Sequence, residues 1–467
     1  MMIALALLTT GTAWAEDLPK DSLKVVDIEE VVVIAAPKEN RKLRELPTAT
    51  TLLSQQDMQA NQVQSVKNLT GIVPNLFIPD YGSKLTTSIY IRGIGSRINT
   101  PSVGLYVDNI PYIDKSAFDF NYADIERIDI LRGPQGTLYG RNTMGGLIKV
   151  HTKSPFTYQG TDIRMGAATY NNYNVSLTHY HRISDRFAFS TGGFYEHAGG
   201  FFENMTRNNE KVDKSNAGGG RFRGIYMPTS NLKIDMTLNY EYGDQGGYPY
   251  EYTGVTQGEE TRPEYIGKIA NNERSGYRRG LLNSGINIEY QARNFILSAV
   301  TGYQNLNDRM FLDQDFTEKD IYTLEQKQRA NTISEEITFK SKPGNNWQWA
   351  TGVSGFYQWL HTTGPVQFGQ EGVRSVIEDN ANEQFENITA GNPRAPKMHM
   401  NINNQGLAVG GSFDTPILNG AIFHQSTFNN LFIKGLSATV GLRLDYEKLK
   451  MDYNSVSDPL NFDFSIT

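Results

Sequence analysis

The sequence predicts a mainly β protein in which a small α/β domain precedes a long run of antiparallel strands that curl into a barrel. Composition is the first sign. The 467 residues include 44 Gly, 25 Tyr and 23 Phe, a mix suited to twisted, turn-rich sheet and poorly suited to helical bundles. The second is periodicity, because from Tyr158 onward apolar residues recur every second position. Leu232, Ile234, Met236, Leu238, Tyr240 and Tyr242 alternate with Asn231, Lys233, Asp235, Thr237, Asn239 and Glu241. Leu436 to Tyr446 alternate in the same way. The third is connection length. Short turns at Ser184-Asp185, Pro228-Thr229-Ser230, Gln291-Ala292 and Lys342-Pro343-Gly344-Asn345 alternate with long polar stretches near 198–215, 243–275, 304–327 and 361–400. Alternation alone also fits a soluble sandwich, but short turns on one rim and long loops on the other fit a membrane barrel.

The totals also exclude function classes. The apolar fraction is 39% and the mean hydropathy is -0.46. A net charge of -6 leaves no basic excess for nucleic acid. The absence of cysteine removes disulfides and thiolate chemistry. No residue set looks catalytic, so neither an enzyme nor a cofactor or metal centre is expected.

In chain order, Met1 to Ala15 reads as a secretory signal, with an apolar run from Met2 to Leu8 and an Ala13-Trp14-Ala15 cleavage site. It carries no Lys or Arg ahead of the apolar run. Nothing downstream has the roughly 18 apolar residues of a spanning helix, which leaves the periplasm, the medium or an outer-membrane barrel. Residues 16–44 form a polar arm interrupted by Val31 to Ala36. Such a β-prone stretch is either an edge strand or a segment for strand addition to a partner's sheet. Ser54 with Asp57 caps a helix that Val63, Val66 and Leu69 continue on one face.

Asp124 to Lys153 is the most distinctive stretch. A strand from Ile125 to Leu131 meets Gly133-Pro134, then Gly136, Gly140, Gly145 and Gly146, then a second strand from Leu147 to Thr152. A phosphate loop would end in Gly-Lys-Ser or Gly-Lys-Thr and enter a helix; these glycines enter a strand, so a tight folded loop is expected. His179 and His181 share one strand face and reach only half of a metal ligand set.

With these residues in view, the block closely resembles the end of the plug domain of TonB-dependent outer-membrane receptors. Three further motifs follow the family pattern in order: Thr70-Gly71-Ile72-Val73-Pro74, Ile91-Arg92-Gly93, and the hairpin Val103 to Tyr112 with Asn109 in place of the usual glycine. The resemblance implies a small α/β plug domain inside a transmembrane antiparallel β-barrel, of which only about half the strands are present. About eleven candidate strands lie between Thr161 and Leu449, whereas a plugged transporter barrel has roughly 22. The reading divides the chain into a signal peptide (1–15), an arm (16–44), a plug (45–153) and a partial barrel (158–467). The missing portion is placed C-terminally, since open edges are not viable in lipid.

The resemblance further implies a TonB box at Ile28, Glu29, Glu30, Val31, Val32, Val33, Ile34, Ala35 and Ala36, which would pair with TonB and its inner-membrane energising complex. It also implies a plug-barrel lock of Arg92 and Arg132 on barrel glutamate, with Glu336 the lumen-facing choice beside Ser334 and Thr338. The expected function is active import across the outer membrane of a scarce small-molecule ligand, an iron-siderophore by preference, with haem, cobalamin or oligosaccharide as alternatives. A passive porin, an adhesin and a non-transporting fragment are the rival readings.

Overall fold

The computed structural model describes Lys38 and residues 48–467, apart from positions 64, 98–99, 122–123, 255–262 and 393. The signal segment and the stretch Ile28 to Ala36 lie outside the described residues.

The small domain opens with β1 (Ala49–Ser54) and α1 (Gln55–Ala60). The Ser54 hydroxyl accepts the Asp57 N–H at 3.2 Å, and the Asp57 carboxylate accepts the Ser54 N–H at 2.9 Å. The expected cap is therefore present as a reciprocal box. Its helix is shorter than expected and does not reach Leu69. The Asn61 side chain turns back onto the Asp57 carbonyl at 2.9 Å, and Gln62 takes a φ of 50°. A separate 3-10 turn over Val66–Gly71 then buries Val66 and Leu69. Local side-chain bonding has outcompeted the helix.

The strands β2 (Leu76–Phe77) and β3 (Tyr90–Ile91) form a two-residue pair. Arg92 and Gly93, expected on a strand, instead make a tight turn with φ of 53° and 79° that closes Ile91 onto Ile94. Next come β4 (Val103–Val107) and β5 (Ile110–Tyr112), joined through Asp108 and Asn109 at φ 47° and 72°. Both angles are those of a type I′ hairpin, the turn that matches strand twist. The strand β6 (Ile125–Arg132), the short helix α2 (Gly136–Tyr139) and β7 (Gly146–Thr152) complete a five-stranded sheet in the order β1-β6-β7-β4-β5, with β4 parallel to β7. Glycine at 146 is required, because a Cβ there would fall 2.3 Å from the Leu131 carbonyl oxygen.

The second unit is one large antiparallel sheet. It begins with β8 (Gly160–Ala168), β9 (Asn172–Arg182) and β10 (Phe187–Ala198); the two-residue strands β11 (Glu203–Asn204) and β12 (Glu210–Lys211) form a side hairpin. It continues through β13 (Ser215–Thr229), β14 (Leu232–Gly246), β15 (Gly276–Gln291), β16 (Phe295–Asp313), β17 (Tyr322–Ser341) and β18 (Trp347–Thr363). After β18 an insertion holds β19 (Val366–Phe368), the helices α3 (Gln370–Gly372) and α4 (Asp379–Gly391), β20 (Met398–Ile402) and β21 (Leu407–Asp414). The sheet resumes with β22 (Ile417–Phe428) and β23 (Ala438–Leu449), while β24 (Asp452–Ser457) and β25 (Phe462–Ile466) return to pair with β21 and β20. Among the described residues the long strands number eleven, each hydrogen-bonded to the next, with β8 and β23 at the two ends of the run.

Which face is buried separates a barrel from a sandwich. Met236, Leu238, Tyr240 and Tyr242 on β14 are exposed, while Asp235 and Glu241 on the opposite face are buried. On β17 the buried positions are Ser334, Glu336, Thr338 and Lys340, and Ile333, Glu335 and Phe339 face outward. An apolar exterior around a polar interior is the pattern of a wall set in lipid. Trp347 and Phe428 stack at 6.4 Å near the short-turn rim, and Tyr357 meets Trp359 at 4.4 Å on the same outer face, where interfacial aromatics belong.

One connection departs from expectation. The polar stretch 304–327 is mostly strand, because β16 and β17 stay paired out to Asp313 and Thr323, leaving a turn of only 314–321. Polar residues on both faces mark strand that has risen past the apolar band, not loop.

The small domain sits against the inner face of this wall. Its core, which includes Val66, Leu69, Ile91, Leu105 and Ile128, is continuous with Leu281, Leu306 and Ala330 on β15, β16 and β17.

Candidate functional site

Strand parity turns polar side chains inward, so the seam between the small domain and the wall is where charge must be paired. It divides into two regions of different chemistry.

On the β13–β15 side the wall supplies arginines and the small domain supplies acceptors. Arg221 pairs with Asp124 and donates to the Asn121 carbonyl. Arg223 forks onto Asp235 at 3.0 and 2.8 Å, donates to the Thr152 hydroxyl at 2.8 Å, and lies 3.5 Å from Asp108. Asp108 in turn accepts the Thr152 N–H and hydroxyl at 3.0 and 2.7 Å, so the β4–β5 turn, the end of β7 and the wall share one network. Arg279, 2% exposed, donates to the carbonyls of Ser116 and Asp119 and pairs with Glu241. Lys84 reaches the same Glu241 at 3.4 Å. Burial alone would lower the Lys84 pKa; Glu241 and Asp119 outweigh it and hold the ammonium above its ordinary value.

On the β17–β23 side one lysine crosses the seam. Lys38 is 3% exposed and pairs with Glu336 of β17. Its ammonium sits 4.7 Å from the Tyr139 ring, 5.3 Å from Tyr106 and 5.7 Å from Phe423. Burial pulls its pKa down, but Glu336 more than reverses this and the charge is kept. Around it α2 meets β23 at three inward positions. A Cβ at Gly441 would lie 2.5 Å from the Thr137 methyl, the Arg443 guanidinium presses on Gly140, and Arg141 bridges to Glu447 at 2.7 Å. Gly140 has a φ of 67°, and a Cβ there would fall 2.4 Å from Arg443, so glycine is needed twice over.

The residues singled out from sequence fall as follows. Glu336 faces inward, but its partner is Lys38, not Arg92 or Arg132. Arg132 donates to the Pro74 carbonyl at 3.1 Å, and Arg92 lies exposed with its guanidinium near Gly133, so both stay over the small domain. Both polarities occur across the seam: plug cations Lys38, Lys84 and Arg141 meet wall glutamates, while Arg221, Arg223 and Arg279 of the wall meet acceptors of the plug. Sequence reasoning missed the three wall arginines; their inward parity and charge are the signal that could have found them. Ile28, Glu29, Glu30, Val31, Val32, Val33, Ile34, Ala35 and Ala36 lie outside the described residues.

The glycine loop is no phosphate cradle, because its amides are spent internally. Gly133 N–H bonds Gly145, Gln135 bonds Thr143 and Gly145 bonds Ser102. The rings of His179 and His181 stack 5.9 Å apart on the outward face of β9, and no group of three metal-ligating residues occurs among the described residues.

An apolar-skinned wall with a separately folded domain filling it defines a class of protein: a plug-and-barrel receptor of the outer membrane. Residues 42–147 match the TonB-dependent Receptor Plug Domain. The chain is 30% identical over 149 residues to the pesticin receptor of Yersinia pestis, covering 32% of this chain and 22% of that one. It is 28% identical over 216 residues to the vitamin B12 transporter BtuB of Vibrio vulnificus, covering 44% and 32%. In structure it resembles the ferric yersiniabactin uptake receptor FyuA of Yersinia pestis, with a TM-score of 0.62, 15% identity, and coverage of 90% of this chain and 63% of that one. The ferric-catecholate import receptor Fiu of E. coli K12, in its open form, gives 0.57 at 11% identity, covering 91% and 69%. The chain thus spans less than a third of these curated relatives and about two thirds of the solved structures. Residues 42–147 thus carry a TonB-dependent receptor plug domain, and the chain as a whole has the plug-and-barrel fold of the outer-membrane receptors it resembles.

Proposed function

We propose that this receptor imports a scarce chelate, an iron-siderophore, across the outer membrane by TonB-dependent opening of the plug. The observation that carries the reading is the seam. Beside its apolar contacts with the wall, this plug is held by buried charge pairs on both sides of the seam, and charge pairs can be exchanged. Siderophore chemistry is favoured by the uptake and import receptors that share the fold. In this reading Ile28 to Ala36 adds as a strand to TonB, which pulls with energy from the inner membrane. Haem, cobalamin and oligosaccharide remain the other ligand classes to be scored.

The test is accumulation of radiolabelled ferric catecholate, ferric hydroxamate, haem and cobalamin by energised cells producing the receptor. The expected result is uptake of a ferric complex that an uncoupler abolishes and that Val32→Pro, which removes an amide from the added strand, also abolishes while surface binding persists. Uptake indifferent to both would sink the reading.

A further inference from the structure

The outer face of the wall carries a charge pattern that neither the plug nor its seam explains. Where β15, β16 and β17 rise past the apolar band, Arg278 lies directly across from Arg309, and Arg309 directly across from Lys327. All three point outward: their side chains are 56, 45 and 55% exposed, while the strand neighbours Tyr277, Arg279, Asp308 and Met310 are buried on the opposite face. One pair nearer the band, Arg329 on β17 stands between Asn307 and His361. Like charges set directly opposite each other across strands destabilise a sheet.

The protein neutralises this row only in part. Asp244 pairs with Arg278 at 3.0 Å, and Glu325 is shared by Arg309 and by Lys327 at 2.8 Å. His361 is taken by Asp414 at 2.7 Å. Arg329 is exposed and has no ion-pair or hydrogen-bond partner among the described residues. Four cations therefore meet two carboxylates, with a His-Asp pair at the flank, and positive charge is left over on the outer face.

Height above the apolar band says which anion fits. Going up the outward positions, β16 reads Tyr303, Asn305, Asn307, Arg309 and β17 reads Ile333, Asn331, Arg329, Lys327. Tyr303 and Asn305 both donate to Asn331 Oδ1, at 2.9 and 2.7 Å, and Trp359 of β18 lies across from Asn331. Aromatic rings mark the edge of the hydrocarbon, so the amides stand at the interface and the cations beyond it. At about 3.3 Å per residue and a tilt near 45°, the backbone at Arg329 and Arg309 is about 9 and 14 Å above Tyr303. Long cationic stems reach back toward the membrane, which brings their charges to the headgroup layer, roughly 5–7 Å deep.

We infer that Arg278, Arg309, Lys327 and Arg329 seat an anionic lipid whose headgroup carries two phosphates, with its acyl chains against the exposed Tyr303, Ile333 and Trp359. Guanidinium forks match phosphate oxygens in pairs. The row spans two strand spacings, about 10 Å, which is more than a single phosphate covers. A zwitterionic headgroup would bring an amine into a field already positive. The inference rests on the membrane reading of the wall and is independent of the import reading.

Native mass spectrometry of the purified receptor, released from neutral detergent, tests it with four probes: a diphosphorylated glucosamine lipid, its monophosphorylated form, phosphatidylcholine and inorganic phosphate. The diphosphorylated lipid should be retained about tenfold more strongly than phosphatidylcholine, with the monophosphorylated form between them. Arg309→Gln, Lys327→Gln receptor should lose most of that preference, and Arg329→Gln a smaller part. Inorganic phosphate at the same concentration should neither bind nor displace the lipid. Equal retention of all the lipids, a preference untouched by the substitutions, or inorganic phosphate taking the lipid's place overturns the inference.

Thermal melting separates a lipid seat from a structural role. Without lipid, Arg309→Gln should melt no earlier than the parent, because it relieves like-charge contact. With the diphosphorylated lipid the parent should gain several degrees and the variant less than half as much. A variant that melts early without lipid, or gains as much as the parent with it, also overturns the seat.

Discussion

The two sides of the seam solve one problem in opposite ways. On the β13–β15 side each guanidinium is divided among several acceptors, with Arg223 touching Asp235, Thr152 and Asp108 at once. On the β17–β23 side the Lys38 ammonium faces Glu336 inside an aromatic cage, and Arg141 makes a separate single bridge to Glu447. Arginine's planar fork suits shared, multidentate anchoring, whereas lysine is a point charge on a flexible stem that one displacement removes.

The sharpest way to break this contrast is to remove an anchor. Arg223→Met leaves Asp235 with Lys233 alone and Asp108 with Thr152 alone, and losing one partner of a buried pair costs up to about 3–5 kcal/mol. The expected outcome is a receptor that leaks a large antibiotic such as vancomycin and melts early in detergent, with or without energy. Next in size is the lysine side. Lys38→Gln should raise protease cutting of the arm on the order of tenfold, equivalent to about 1.4 kcal/mol, with little passive leak. The reversed pair Lys38→Glu, Glu336→Lys should restore part of the protection. If Lys38→Gln leaks as badly as Arg223→Met, the two sides do not differ.

Acid should also act inside the plug sheet. Burial would raise the pKa of Asp129, but His151 at 2.8 Å and Arg127 at 2.6 Å outweigh it and hold the carboxyl below its ordinary 3.8. The folded value is therefore lower than the unfolded one. Its contribution is complete above the unfolded value and is lost as pH falls through the folded one. Thermal stability of the receptor should drop below about pH 4, and Asp129→Asn should flatten that part of the profile; an unchanged acid limb would remove the assignment. Smallest is the cap, where Ser54→Ala should cost about 1 kcal/mol. By the same logic Arg132→Ala, which loses one carbonyl contact, should produce no measurable leak.

Much of this was legible because strand parity is a local property. The alternation around Ser334, Glu336 and Thr338 placed Glu336 inward without any knowledge of the fold, and Ser54 with Asp57 announced a helix start. The partner of Glu336 was not legible, since Lys38 lies 298 residues away and only the packing of the chain against the inner face of the sheet brings the two together. A plug arginine does meet a wall glutamate, Arg141 with Glu447, but Arg92 does not, because it sits in a left-handed turn beside Gly93 that sets it near Gly133 of the plug. The strand tops of β16 and β17 were hidden for another reason. Above the apolar band neither face needs to be hydrophobic, so strand and loop have the same composition there.

Those strand tops also set how the molecule meets its surroundings. At about 3.3 Å per residue the 19 residues of β16 and 20 of β17 run on the order of 60 Å. Even tilted near 45°, they stand well clear of an apolar band about 25 Å tall. They work as a mast, carrying the turn at 314–321 and its neighbouring loops beyond the apolar band, so anything large approaching from that rim would touch protein before it touched membrane.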